Sequence, residues 1–291
     1  MSRRFAVLAD IHGNIEALEA VLGAVDLHKP DVLVVLGDTI GYGPNPRECL
    51  TRVCAAADVL LVGNHEREAV DPDPGLSGES REAIHWAVGQ VNDLDAWQSI
   101  VSRMRSQGIA KQACQQFDGR TWVHASPASP VEQYIWPGYR NHYLPHSDQI
   151  DARLREFLAA FPTEHGFFAH THAPAVMAEH QHHRIFNPYI AEGFQWHRVH
   201  TFQGAGMLYV VPDGPGAIEG LSGRKMAINP GSVGQPRFCG DPRASYAIYD
   251  GDRVSFHRVP YDIEQTRAKL LALPISEDNR KELAERLVTG V

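Results

Sequence analysis

The sequence predicts an α/β protein, and three features predict it. Its first 66 residues alternate short apolar runs with amphipathic helical segments. A polar stretch with helical periodicity follows. Beyond about residue 166 the pattern turns to short strands, closing with a hairpin and two helices. At 291 residues, 43% hydrophobic and 21% charged, the chain can bury a sizeable core, and residues 1–291 read as a single domain.

Phe5–Ala9 is a β-type run, and Asn14 caps a helix with Ile15, Leu18, Leu22 and Val25 at the 3.6-residue period. Val32–Leu36 is a second run. Asn45 and Pro46, as cap and first helical residue, open a helix with Leu50, Val53, Cys54 and Ala57 on one face. Val59–Val62 is the third run. Strands that are apolar throughout, joined by helices, predict a parallel sheet covered on both faces. Residues 67–118 read as a helical cover. Thr121–Val123 is a fourth strand, and Ser147 caps a helix burying Ile150, Leu154, Phe157, Leu158 and Phe161. Gly166–Ala169 is the fifth strand. Ile185–Phe186, Met207–Val211 and Lys225–Ile228 are strand candidates, and about 189–224 reads as a long decorated connection. Ser245–Tyr249 and Arg253–Val259 flank Asp250-Gly251, a hairpin signal. Helices are expected over about Ile263–Leu271 and Glu277–Leu287.

The formal net charge of −8 argues against general nucleic-acid binding. No apolar run reaches the roughly 18 residues that cross a membrane, and Phe5–Ala9 is too short for a secretory signal. Cys49, Cys54, Cys114 and Cys239 form no C-x-x-C pair, which fits reduced thiols and a cytoplasmic protein.

Each of the five apolar runs ends in a residue able to bind a metal: Asp10-Ile11-His12, Gly37-Asp38, Gly63-Asn64-His65-Glu66, His124, and His170-Thr171-His172. Parallel strands converge their carboxyl ends on one place. Any one of these endings is an ordinary turn; five in register are a site. Asp10, His12, Asp38, Asn64, His124, His170 and His172 are too many for one tetrahedral ion but suit two divalent ions sharing a carboxylate, with Asp38 the natural bridge. Two such ions, two aspartates and a bridging hydroxide leave net positive charge facing the substrate, which favours a phosphate ester. Imidazole and oxygen donors suit Mn, Fe, Ni, Co or Zn.

These strings, D-I-H-G-N, G-D-T-I-G-Y-G-P-N-P, G-N-H-E, H-A-S-P, A-H-T-H and N-P-G-S-V-G-Q-P-R, run from Asp10 to Arg237. As an ordered set they resemble the calcineurin-like metallophosphoesterase superfamily, most of all its compact bacterial and archaeal branch. The resemblance implies a four-layer sandwich of two packed mixed β-sheets flanked by helices. It implies Asp10, His12, Asp38 and His172 around one ion, and Asp38, Asn64, His124 and His170 around the other. His65 would be the catalytic histidine, donating to the leaving oxygen while the bridging hydroxide attacks phosphorus. The sequence departs from the family pattern at Val123, Glu66 and Ala169, and most at Gly41, where many members carry an acid. What orients His65 is therefore open, with Glu66 one candidate.

Tyr42, Asn45 and Arg237, in loops beside the ligand-bearing segments, are candidate substrate contacts. For Arg237 a second phosphate and a plain surface position compete. Tyr134, Trp136, Tyr139 and Arg140 read as loop packing before base stacking, and His180, His182 and His183 as a polar turn. Asn229–Ser232 is expected to form a tight turn supporting the ligand loops. The expected activity is metal-dependent hydrolysis of a small phosphorylated molecule, a nucleotide or dinucleoside polyphosphate for preference, with manganese among the candidate metals. A phosphoprotein phosphatase and a simple phosphodiesterase are the runners-up in the same class. A non-catalytic scaffold keeping the fold is the reading from another class, and it sits poorly with a full ligand set.

Overall fold

The computed structural model describes residues 3–76, 78–135, 147–179, 207–210, 215–237 and 240–290. Its elements run β1 (Phe5–Leu8), α1 (Ile15–Asp26), β2 (Val32–Val35), α2 (Pro46–Ala56), β3 (Val59–Leu60), α3 (Asn64–Arg67), α4 (Gly78–Val91), α5 (Asp95–Gln107), α6 (Ile109–Ala113), β4 (Cys114–Phe117) and β5 (Arg120–Val123). They continue with α7 (Ser147–Ala159), β6 (His165–Phe167), β7 (Pro174–Glu179), β8 (Met207–Val210), β9 (Gly216–Glu219), β10 (Met226–Pro230), β11 (Ala244–Tyr249), β12 (Arg253–Val259), α8 (Ile263–Leu271) and α9 (Glu277–Thr289).

Among the described residues, two six-stranded mixed sheets form, in the orders β3-β2-β1-β11-β12-β9 and β4-β5-β6-β10-β7-β8. In the first, β1, β2 and β3 are parallel, and β1 pairs with β11 antiparallel. Alternation along β1 explains why the strand is apolar throughout. Phe5 and Val7 face the core between the sheets, with Trp122, Phe167, Val176 and Ile228 of the second sheet. Ala6 and Leu8 face outward beneath Leu18, Val21 and Val25 of α1. The second sheet repeats the scheme: Val123, Ala175, Met177 and Ala227 lie under Leu154, Phe157 and Leu158 of α7. Helix, sheet, sheet and helix make the four layers. Trp122 stacks on Phe167 at 4.3 Å and 11°, at the centre of the inter-sheet core.

Outside this sandwich, α4, α5 and α6 cover Ile40, Leu50 and Val62, and α8 and α9 form a second cluster with Ala83 of α4. No helix among the described residues is long and apolar enough to cross a membrane.

The structure differs from the sequence expectations in several places. The end of the expected helical cover is β4, which turns back through Asp118-Gly119, both at positive φ (52° and 72°), to pair with β5. That dipeptide is the usual two-residue hairpin signal, hidden because Cys114–Phe117 lacks the alternation of a half-buried strand. Strands β7 and β9 were not foreseen. Strand β7 reads P-A-V-M-A-E. Proline is tolerated at a strand's first residue, and the two alanines carry little β-propensity. Both β8 and β9 lie within the expected connection 189–224. The strand expected at Ile185–Phe186 lies outside the described residues, as do Trp136, Tyr139, Arg140, His180, His182, His183 and Cys239. Cys49, Cys54 and Cys114 are free thiols.

Candidate metal centre

The loops after β1 and β2 are hydrogen-bonded to each other: the amides of Asp10, His12 and Gly13 donate to the carbonyls of Gly37, Asp38 and Thr39 at 3.2, 2.9 and 2.9 Å. Across the sandwich, the Ala169 amide donates to the His124 carbonyl at 2.7 Å. The two sheets thus deliver their strand ends to one edge. Asp10, His12, Asp38 and His172 each offer a donor atom within 4.8 Å of the others, and Asp38, His124 and His170 form a second such group. Asp38 belongs to both. Asn64 joins the second, its Oδ1 lying 3.0 Å from His124 Nε2.

Backbone conformation marks the same place. Among the described residues, eight non-glycine residues have positive φ, and six of them are Asp10, His12, Asp38, Tyr42, His170 and His172. Histidine, tyrosine and aspartate in the left-handed region cost energy, which the surrounding contacts must offset. Gly63 is required by close approach: a Cβ there would lie 2.1 Å from Asp38 Oδ1.

The imidazoles are aimed by backbone carbonyls. His124 Nδ1 donates to Leu36 O at 2.9 Å and His172 Nδ1 to Gln235 O at 2.8 Å, leaving each Nε2 lone pair facing inward. His12 Nε2 and His172 Nε2 face each other at 2.9 Å. The N-P-G-S turn braces these loops as expected. Asn229 Nδ2 donates to Ala169 O and Thr171 Oγ1, and Ser232 Oγ donates to Asp10 O. Residue chemistry alone could not reveal the carbonyls of Leu36 and Gln235, because every residue has one.

Two observations fit this donor set to cations. Both carboxylate oxygens of Asp10 are buried with no hydrogen-bond partner, a costly state for a carboxylate unless a positive charge meets it. The protonation states also suit ligation. Burial, reinforced by Arg237 and neighbouring imidazoles, holds His12 and His172 well below the usual histidine range. His170 is lowered likewise, and His124 is lowered to about 4, chiefly by burial. Neutral imidazole is the ligating form. Burial raises Asp38 to about 7, and burial with the nearby Asp38 charge raises Asp10 well above its usual value. Divalent cations would reverse these carboxylate shifts.

The family profile of the calcineurin-like phosphoesterases matches residues 3–198. The chain belongs to that family. It is a metallophosphoesterase, a phosphoric ester hydrolase of a metal-dependent family, with a buried cluster able to bind metal. The crystal structure of a metallophosphoesterase from Sphaerobacter thermophilus superposes with a TM-score of 0.73 at 30% identity, covering 100% of both chains. An uncharacterized protein of Methanocaldococcus jannaschii is 28% identical over 98% of this chain and 97% of its own. A symmetrical bis(5'-nucleosyl)-tetraphosphatase of Paracidovorax citrulli is 28% identical over 53% of this chain and 54% of that protein.

The remaining candidate residues of this phosphoesterase fall unevenly. His65 lies beside the two groups, its Nε2 3.9 Å from Asp38 Oδ2 and its amide donating to Asp38 Oδ1 at 2.9 Å. Arg237 is half-buried at the rim, donating to Gln235 Oε1 and bonded to Tyr134, whose ring meets His170 at 5.3 Å. Asn45 occupies the N-cap position before Pro46, as expected, but its side chain is engaged elsewhere. Its side chain makes no helix-capping bond, and its Oδ1 accepts instead from Lys269 Nζ of α8 at 3.2 Å, away from the cluster. Tyr42 lies against His12 and His65, but its hydroxyl is 3.3 Å from Ser80 Oγ. Glu66 does not reach the His65 ring. Its carboxylate accepts the amides of Asp38, Thr39, Ile40 and Gly63 at 2.7–3.2 Å, fixing the loop that carries Asp38 instead.

Proposed function

We propose that this phosphoesterase hydrolyses a small phosphorylated molecule, with a nucleotide or dinucleoside polyphosphate as the preferred class, at a pair of divalent cations. The observation that carries the reading is the sharing of Asp38 between two buried donor groups. Asp10, His12, Asp38 and His172 would hold one cation, and Asp38, Asn64, His124 and His170 the other. When bound, Mn, Fe, Zn, Ni or Co would supply Lewis acidity toward the phosphoryl oxygens.

The chain's own groups supply the rest. His65 donates a hydrogen bond or proton to the departing oxygen. Arg237 offers the planar, always-charged group suited to a second phosphate, and this favours polyphosphate over monoester substrates. The partial match to a bis(5'-nucleosyl)-tetraphosphatase points the same way.

The test is a panel of phosphomonoesters, phosphodiesters, phosphopeptides and dinucleoside polyphosphates, assayed with Mn, Ni, Co, Zn and Mg, with and without chelator. Metal-dependent turnover fastest on dinucleoside polyphosphates is expected. Preference for phosphopeptides or simple diesters would replace the substrate class. Silence under every metal would overturn the reading in favour of a binding scaffold.

A further inference from the structure

No carboxylate reaches the His65 ring, although its Nδ1 is buried and without a hydrogen-bond partner. The place from which a side chain would approach that nitrogen belongs to Gly41 (φ 95°), where a Cβ would lie 1.8 Å from His65 Nδ1. Besides the backbone of Ile40, what His65 meets is rings. Tyr42 packs against it at 4.5 Å and 78°, and His12 at 4.5 Å and 60°.

Tyr42 is itself held from behind. Its backbone sits at φ 50°, its hydroxyl meets Ser80 of α4, and its ring packs on the cluster containing Leu270, Leu283 and Leu287 of α8 and α9. A small cavity runs between His12, Tyr42 and those three leucines, so a shorter side chain at position 42 would leave the His65 ring room to turn.

From this geometry we infer that Tyr42 is a positioning residue, which fixes the His65 imidazole by edge-to-face ring packing and is in turn fixed by α4, α8 and α9. Gly41 and Tyr42 work as a pair: the glycine admits the imidazole, and the tyrosine stops it rotating. The C-terminal helices thereby act on the reaction without touching substrate. This rests on the reading of His65 as donor to the leaving oxygen.

The experiment compares phenyl and p-nitrophenyl phosphate esters, mono- and di-, on the metal-loaded full chain. A displaced donor matters most where the leaving group is poor. Tyr42→Leu should lower kcat on phenyl esters about 10–100-fold and on p-nitrophenyl esters only about threefold. KM and metal content should hold, and Tyr42→Phe should recover most of the loss. In a His65→Ala background, Tyr42→Leu should cost nothing further, because residues acting as a unit are not additive. Leu283→Ala, a milder change behind the ring, should lower kcat a few-fold with the same leaving-group bias, and it stands in if Tyr42→Leu fails to fold. An equal loss with and without His65, or an equal loss on both esters, overturns the inference and leaves the His65 reading intact. If His65→Ala alone costs nothing, both fall.

Discussion

Two groups of histidines in this protein are built in opposite ways. At the sheet edge, His12, His124, His170 and His172 surround Asp38 and Asp10, the latter with both carboxylate oxygens left unmatched, and three of the four histidines sit at positive φ. On the far side of the first sheet, His28 and His257 pack at 4.5 Å, with Tyr246 stacked on His257 at 4.8 Å and 16°. There the polar groups are matched: His28 Nε2 with the Tyr246 hydroxyl at 3.1 Å, and His257 Nε2 with Ser255 Oγ at 2.9 Å. The second group belongs to the architecture. The first holds strain and unmet charge, which is what a cation-binding site needs. Histidine density is a poor guide; unmatched polar atoms on strained backbone are a better one.

Substitution at the edge should therefore cost activity, and substitution in the second group only stability. The largest effect is expected from His65→Ala, roughly 10²–10⁴-fold in kcat with both cations retained, measured by steady-state kinetics beside elemental analysis. Full activity in that variant would remove the edge's claim to the leaving group.

Buried carboxylate and buried imidazole should also pull stability in opposite directions with pH. Asp38 is raised from 3.8 to about 7 by burial, so its proton is held more tightly in the folded state. In chelator, the Asp38 contribution is complete below about pH 4 and is lost as pH rises to about 7. Those of His12, His124, His170 and His172, lowered by burial, run the other way; saturating Mn should abolish the Asp38 loss. Urea midpoints of chelated wild type and Asp38→Asn across pH 4–8 measure it: the stability of wild type minus that of the variant should fall as pH rises, and a difference that grows contradicts the burial argument. His257 is lowered from 6.5 to about 4, by burial first and then by His28 and Arg253. The folded state there prefers the neutral ring. Its contribution is whole above about pH 6.5 and is lost as pH falls toward 4, at most about 3 kcal/mol and less for its partial exposure. His257→Gln should flatten the acid limb of the same curves and leave kcat alone.

The fold class was legible in the sequence, and so were the residues that cluster at the sheet edge, while several strands were not. The clustered donor residues were legible because aspartate, asparagine and histidine are unmistakable in a string, and ends of apolar strands are easily found. The N-terminal strands and the Asp250-Gly251 hairpin were legible for similar reasons. Strand β7 was not, since burial on both faces removes alternation and its small residues carry little β signal. Asn45 and Pro46 marked the start of α2 correctly, but not that Lys269, 224 positions away, takes the Asn45 side chain in place of a capping bond. Glu66 misled because carboxylates are expected to meet imidazoles, while this one meets four amides. Long-range partners and backbone acceptors are geometric facts that residue identity does not encode.

The central claim, that Asp38 joins two cation sites, is tested most directly by counting metal on the purified chain loaded with Mn, alongside Asp38→Asn, by elemental analysis with calorimetric titration. The account predicts two per wild-type chain, and one or none for the variant, with the fold preserved by far-ultraviolet circular dichroism. Two cations bound at unchanged affinity in Asp38→Asn, or fewer than two in the wild type, would contradict it.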